Sequence, residues 1–168
     1  ADDIVSFTAK GVLDPNATTA APDKSGPVIN LASKGDLTDV TLTGDFESIT
    51  LNGNNNMTTA TIGAKASNGI IDLTDNGDLV TLDTTGSSAT GFTLTNNDNL
   101  GSAAIQTTMI AGTAAAAVID GAVIVTNNDD LTTLEFWSSG LKTLTITGNS
   151  DLTKITGDKV IAIGATAG

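Results

Sequence analysis

Apolar residues alternate with threonine in several short segments of the chain. Residues 92–95 and 144–147 read Phe-Thr-Leu-Thr and Leu-Thr-Ile-Thr. A period of two places the apolar side chains on one face of a strand and the threonines on the other, and threonine is a good strand former. Clusters of Gly, Ser and Asn separate these segments, as at residues 138–140, and no helical pattern of ordinary length occurs. The pattern predicts an all-β protein built from short strands.

A repeat of about 21 residues runs through the chain. Its most regular position, the anchor, is occupied by Leu37, Met57, Leu79, Leu100, Leu131 and Leu152. Successive anchors are 20, 22, 21, 31 and 21 residues apart, so one copy carries extra residues. Asp or Asn precedes every anchor, and further apolar residues lie three after, six before and eight before it. The third position before the anchor is Lys34 in the first copy and Asn in the others: Asn54, Asn76, Asn97, Asn128 and Asn149.

Such a repeat predicts a stacked architecture. One coil of this size cannot bury its own apolar face, so successive coils must stack with equivalent positions in columns. We therefore predict a parallel β-solenoid (β-helix) of about six 21-residue coils over residues 29–163. An N-terminal strand and Pro-containing arm at 1–28 precede it, a tail at 164–168 follows it, and the extra residues form an insertion at about 105–121.

Two segments resemble a known repeat family. Residues 141–149 and 46–54 match the spacing L-x-x-L-x-L-x-x-N of leucine-rich repeats. With the Asx-Leu pair that follows, the motif resembles the receptor L-domain variant, and similar Thr- and Asn-rich repeats resemble those of secreted bacterial surface-layer proteins. The resemblance implies a solenoid. Because helical segments are missing, we expect a straighter coil with two or three sides rather than a curved horseshoe.

Composition and charge exclude several function classes. The net charge is −12, with 19 acidic and 7 basic residues, and His and Cys are absent. Cys/His zinc sites and Ser-His-Asp or Cys-His catalysis are therefore excluded, and an acidic chain without Arg is a poor nucleic-acid binder. No apolar run approaches a transmembrane helix. The only glutamates, Glu47 and Glu135, lie nearly four repeats apart, so we predict that the protein is not an enzyme.

The Asn and Asp positions beside the anchor carry different expectations. Stacked Asn side chains can bond to one another and to the turn backbone, which predicts a structural ladder. The acidic residues near the same edge are candidate ligands for calcium, which takes six to eight oxygen atoms in irregular sites. The alternative is a solvated acidic edge that keeps the protein soluble. The candidate metal ligands are Asp78, Asp98, Asp129, Asp130 and Asp151, and no other cofactor is indicated.

Outward threonines form a second candidate surface. The pairs Thr93/Thr95 and Thr145/Thr147 should lie on one flat face, with Thr50, Thr74 and Thr126 in equivalent positions. Such arrays resemble the ice-binding faces of antifreeze solenoids. The alternative is that threonine is simply the residue an exposed strand uses, because Asn52, Asp72 and Ile124 interrupt the array.

Apolar residues outside the repeat, together with the ends of the stack, indicate self-association. Solenoid ends are open strand edges unless they are capped, and an N-terminal arm can complete a neighbour's sheet. A start at Ala1 rather than Met fits removal of a secretory signal. The candidate assembly residues are Ile4, Phe7, Met109, Ile110, Trp137, Ile161 and Ile163.

The sequence thus predicts a secreted structural protein that self-assembles into an extracellular surface layer, sheath or filament. The contacts would be strand edges and apolar side chains, and the main partner would be the protein itself. The alternative is a monomeric extracellular module that binds a cell-surface glycan or ice through the threonine face. We expect neither a nucleic-acid partner nor a transmembrane segment.

Overall fold

The protein is an all-β parallel solenoid. The computed structural model describes residues 5–12, 27–66, 69–109, 121–136 and 141–157, without the side chains of 107–109 and 136. Within these ranges there are fifteen strands, and no helix is long and apolar enough to cross a membrane. In chain order the strands are β1 (Ser6–Gly11), β2 (Ile29–Ala32), β3 (Asp39–Phe46), β4 (Ile49–Asn52), β5 (Thr59–Ala66), β6 (Ile70–Thr74), β7 (Thr81–Asp83), β8 (Ser87–Ala89), β9 (Gly91–Thr95), β10 (Ser102–Ile105), β11 (Thr107–Met109), β12 (Ala122–Thr126), β13 (Thr133–Phe136), β14 (Thr143–Thr147) and β15 (Lys154–Gly157).

Two parallel sheets form the walls of the solenoid. Sheet I has the strand order β1-β3-β5-β7-β10-β13-β15, with β8 and β11 joined to it through β5. Sheet II has the order β2-β4-β6-β9-β12-β14. Coils 1 to 6 therefore begin at β2, β4, β6, β9, β12 and β14, and each coil passes from sheet II to sheet I. The chain makes about five turns from β2 to β14, which confirms the predicted fold class at close to the predicted number of coils.

Strand register follows the repeat. In sheet I, the residue three positions after the anchor pairs with the equivalent residue of the next coil, for example Val40 with Ala60 and Leu134 with Ile155. In sheet II the residues six before the anchor do the same, as Leu51 pairs with Leu73. Each predicted apolar column is thus a physical column of stacked side chains.

The core lies between the two sheets. The anchors of the first five coils are fully buried, and Phe46 and Phe92 are the largest core side chains. Alternation along each strand sends the apolar strand residues inward and the threonines outward. Because burial of one Leu or Phe side chain contributes about 1.5–3 kcal/mol, the columns account for the stability of a chain that has no disulfide.

A short third side connects sheet I back to sheet II. The eight-residue strands β3 and β5 pair over their whole length, Lys65 of β5 pairs with Ser88 of β8, and β8 pairs with β11. The buried residues on this side are small, except for Phe46. At the corner, Gly11 pairs with Gly44, and a Cβ on either glycine would overlap the backbone of its neighbour. Gly44 also has a positive φ of 83°, which favours glycine.

The segments outside the regular repeat are only partly described. The N-terminal strand predicted from sequence is β1, which extends sheet I of its own chain and places Phe7 opposite Val40. Part of the predicted insertion continues the sheets, because β10 ends at Ile105 and β11 pairs with β8. Residues 13–26 and 110–120, which hold most of the arm and of the insertion, lie outside the described residues.

Candidate functional site

Each coil turns at one edge of the solenoid through a residue in the left-handed region. This residue lies four before the anchor, and its φ is between 51° and 68° in every coil: Ser33, Gly53, Asp75, Asn96, Asn127 and Gly148. Gly, Asn and Asp enter this region at low cost, whereas other residues are disfavoured there. The turn therefore aims the following residue, the ladder position, into the solenoid.

The ladder residues bond to one another through the stack. Asn76 donates its backbone amide and its Nδ2 to Oδ1 of Asn97, at 3.2 and 3.1 Å. Nδ2 of Asn76 also donates to the backbone oxygen of Leu51 in the preceding coil, at 3.0 Å. The pattern recurs from Asn54 to Asn149. Because these buried amides are satisfied by the protein, they support a structural ladder rather than a ligand site.

The ladder has a defined beginning in coil 1. Lys34 occupies the ladder position there, and its backbone amide donates to Oδ1 of Asn54 at 3.0 Å. Its side chain is not needed for the ladder, since this position receives no bond from an earlier coil within the described residues. The single exception in the Asn pattern is thus compatible with the hydrogen bonding.

The predicted metal ligands lie exposed at this turn edge. Asp78, Asp130 and Asp151 belong to the column just before the anchor, and Asp98 and Asp129 belong to the column before that. Two amides at this edge donate to carboxylates of the preceding coil: Nδ2 of Asn99 donates to Asp78 at 3.1 Å, and Nδ2 of Asn96 donates to Asp75 at 2.7 Å. Asn99 also lies between Asp78 and Asp130 in its column, so it reduces repulsion between carboxylates there without a cation.

An open groove follows the turn edge. Its volume is about 440 Å³, and its lining includes two of the predicted ligands, Asp98 and Asp129, with Asn55, Asp75, Gly77, Asn96 and Asn127. In the part of the chain that the structure describes, no group of three or more carboxylates could hold a metal ion together. Calcium binding at Asp78, Asp98, Asp129, Asp130 and Asp151 therefore stays a prediction.

The threonine face is the outer face of sheet II. The register aligns Thr74, Thr95, Thr126 and Thr147 in one column. The neighbouring column contains Thr50, Asp72, Thr93, Ile124 and Thr145. Some hydroxyls bond within the face, since Oγ1 of Thr95 and Oγ1 of Thr126 are 2.9 Å apart and Thr74 donates to Asp72 at 2.7 Å. The face carries a single charged residue, Asp72, over these two columns.

A further column of hydrogen bonds, which the sequence analysis missed, is formed by the residues just after the anchors. Thr38, Thr58, Thr132 and Thr153 each donate Oγ1 to the backbone oxygen of the equivalent residue in the preceding coil or strand, at 2.8 to 3.3 Å. The signal was present, because four of the six anchors are followed by Thr. Val80 and Gly101 interrupt this threonine ladder.

The only described side chain among the candidate assembly residues is that of Phe7. It is half-buried and packs against the core of its own chain. Met109 is the last residue of β11, where it pairs with Ala89. Ile4, Ile110, Trp137, Ile161 and Ile163 lie outside the described residues.

The ends of the stack expose core columns. In the column three after the anchor, Ala103 is 2% exposed and Leu134 is 0% exposed, whereas Ile155 in β15 is 39% exposed. Leu144 and Ile146 of β14, and Ile29 and Leu31 of β2, are also only half-buried. Among the described strands, none pairs with the outer edge of β1, β2, β14 or β15. Within the described residues, both ends therefore present apolar side chains and strand edges that have no partner strand.

Comparison with protein-family models, with curated proteins and with solved structures finds no match to this chain.

Proposed function

We propose that the protein is a secreted structural component that self-assembles into an extracellular surface layer, sheath or filament. The observation that carries the proposal is the change in exposure along one core column, from buried Leu134 to the 39% exposed Ile155 at the edge of sheet I. An unpaired strand edge beside apolar side chains is a template for adding another strand. The same combination occurs at both described ends of the solenoid.

The interior chemistry supports a structural role. The repeated residues of the chain form the core columns and the Asn ladder, and the buried Asn amides bond to the protein itself. Because the repeated residues stabilise the stack, interactions with other molecules would use the outer faces and the ends of the solenoid. The acidic, Thr- and Asn-rich character of the chain, which resembles secreted surface-layer repeats, supports the extracellular setting.

Light scattering after size-exclusion chromatography, together with negative-stain microscopy, tests self-assembly. We expect the 168-residue chain to form elongated particles whose mean mass rises with protein concentration. Ile155→Asp should abolish these particles, because a carboxylate at the sheet edge opposes apolar burial and strand addition.

Val80→Asp is the matched control. Val80 is also exposed, at 53%, but it lies in the middle of the stack, away from both ends. This variant should assemble like the unchanged chain. A monomer at every concentration, or equal loss of assembly in both variants, would overturn the proposal.

A binding module remains the second candidate, because sheet II aligns four threonines in one outward column with a single charge beside them. Such a flat, hydroxyl-rich face fits a neutral surface such as ice or a glycan. A thermal-hysteresis assay and glycan-array binding of the monomeric chain test this candidate. Its activity should be lost in Thr95→Lys and retained in Val80→Asp.

A further inference from the structure

We infer that copies join head to tail, with β15 of one copy adding β1 of the next in a fixed register. This inference rests on the proposed self-assembly and names its geometry. The register places Thr153 opposite Val5 of the next copy and Ile155 opposite Phe7 of the next copy. The two strands then continue sheet I across the joint.

The first support is a series of backbone hydrogen bonds through sheet I. The amide after five of the six anchors donates to the oxygen of the equivalent residue one coil earlier: Thr38 to Val5 at 2.8 Å, Thr58 to Thr38 at 2.8 Å, Val80 to Thr58 at 3.0 Å, Thr132 to Gly101 at 3.0 Å and Thr153 to Thr132 at 3.1 Å. The step from Gly101 to Val80 lacks this bond. The series begins at Val5 and ends at Thr153. Within the described ranges, the Val5 amide and the Thr153 oxygen have no hydrogen-bond partner.

These two groups are complementary. One is a donor and the other an acceptor, and they occupy equivalent positions at opposite ends of the same column. The Val5 amide of the next copy would donate to the Thr153 oxygen and continue the series by the bond that five of the six internal steps make.

The polarity of a parallel sheet makes this joint head to tail. The outer edge of β15 corresponds to the edge that each internal strand offers to its successor, and the outer edge of β1 to the edge offered to its predecessor. Two like edges would set acceptor against acceptor or donor against donor in this column, so a symmetric pair of ends does not continue the series of bonds. A head-to-tail contact that does not close into a ring produces a filament.

Side-chain packing favours the same register. Phe7, Val40, Ala60, Leu82, Ala103, Leu134 and Ile155 form one column of sheet I. Phe7 is half-buried at one end, and Ile155 is exposed at the other. The joint brings Phe7 onto Ile155 and completes the burial of both. In sheet II, the joint leaves one strand position open between β14 of one copy and β2 of the next. Along the path of the chain, this position is the one that follows β15.

Cysteine cross-linking of assembled protein tests the register. The chain has no native cysteine, so Val5→Cys with Thr153→Cys in one full-length variant introduces the only two thiols. Within a copy these positions are six strand spacings apart, about 29 Å at 4.8 Å each, which is too far for a disulfide. Across the joint they are about 4.8 Å apart. We expect mild oxidation to give a ladder of covalent multimers that returns to monomer on reduction.

Two further pairs serve as controls. Thr132→Cys with Thr153→Cys lie in adjacent coils of one copy, so they should give an internal disulfide and show that oxidation works at this column. Lys10→Cys with Thr153→Cys is out of register by five residues, about 17 Å, and should give no ladder.

The outcomes separate the register from self-assembly itself. Particles that form without a Val5–Thr153 cross-link, or a Lys10 pair that cross-links equally well, would overturn the register and leave the proposed function standing. A chain that stays monomeric, including one whose edges are covered by its own residues, would overturn both.

Discussion

The backbone amide and the side-chain amide of Asn76 donate to the same atom, Oδ1 of Asn97 in the next coil. One oxygen thus satisfies two buried donors, while Nδ2 of Asn97 bonds to the oxygens of Leu73 and Thr95 and to Asn128. Each Asn from Asn54 to Asn128 therefore links three consecutive coils.

Removal of one ladder amide should destabilise the protein strongly. Asn97→Ala leaves the two donors of Asn76 and the oxygen of Leu73 without their partner, and each unsatisfied buried group costs about 1–3 kcal/mol. We expect a loss of about 3 kcal/mol or more in the free energy of unfolding, measured by denaturant titration. Asn99→Ala, at an exposed site two residues away, should change it by less than about 0.5 kcal/mol. Equal losses in the two variants would contradict the ladder.

At Gly148, the left-handed turn of the sixth coil should not accept a Cβ. Gly148 has a φ of 68°, and a Cβ there would meet the side chain of Asn127. Gly148→Ala should therefore lower stability by about 1–2 kcal/mol. Gly35→Ala is the control, because its Cβ would enter open space, and it should change stability by less than about 0.5 kcal/mol. Thermal melting of both variants measures the difference, and a neutral Gly148→Ala would be evidence against a strained turn.

Asp83 should give the turn between β7 and β8 a dependence on pH. Hydrogen bonds from the side chain and backbone of Thr85 lower the pKa of Asp83 from its usual value of 3.8, and the backbone bond measures 2.8 Å. Because the pKa of Asp83 is lower in the folded than in the unfolded protein, its hydrogen bonds contribute their full stability above pH 3.8. This contribution is lost as the pH falls through the pKa of the folded state. The stability difference between the unchanged chain and Asp83→Asn should therefore be larger at neutral pH than well below pH 3.8.

Denaturant titrations at the two pH values measure this difference for Asp83→Asn. Asp130→Asn removes the same charge from an exposed side chain that forms no hydrogen bond within the described part of the chain, so it corrects for net charge. The effect at Asp83 should be small, because the carboxylate is exposed and screened by solvent. An identical pH profile for the two variants would rule out the role of Thr85.

If calcium binds at Asp98 and Asp129, it should stabilise the protein more than charge screening alone does. Calcium chloride should raise the melting temperature more than sodium chloride at equal ionic strength, because coordination adds to screening. Replacement of both residues, Asp98→Asn with Asp129→Asn, should abolish this excess. Isothermal titration calorimetry supplies the second measurement, and an absence of heat would leave these carboxylates as a solvated acidic edge.

The core columns of the solenoid could be predicted from sequence because burial restricts residue type. Leu79 and Leu100 repeat at a fixed spacing since every coil must fill the same interior position. The Asn ladder was equally visible, because an Asn side chain offers an acceptor oxygen and a donor nitrogen with two hydrogens on separate atoms, as each step of the ladder requires. The fold and this part of the candidate site therefore follow from the amino-acid sequence.

Other features left a weaker signal, for identifiable physical reasons. The left-handed turn column holds Ser33, Gly53 and Asp75, which share a tolerance for positive φ rather than a side-chain chemistry. The register of β1 was hidden by the long segment before coil 1. Because of this segment, Phe7 lies 33 residues before its partner Val40 rather than one repeat before it. The sequence left open whether the coil has two or three sides, because only small residues such as Ala66 and Ala89 mark the third side.

The insertion in coil 4 shows where this architecture accepts new sequence. Sheet II pairs β9 with β12 and sheet I pairs β10 with β13 without a change of register, although the connecting chain between them is longer than elsewhere. Foreign peptides grafted between Met109 and Gly121 should thus leave the pairing of the flanking strands unchanged. A single residue added between a ladder Asn and its anchor should instead shift the contacts of all following coils.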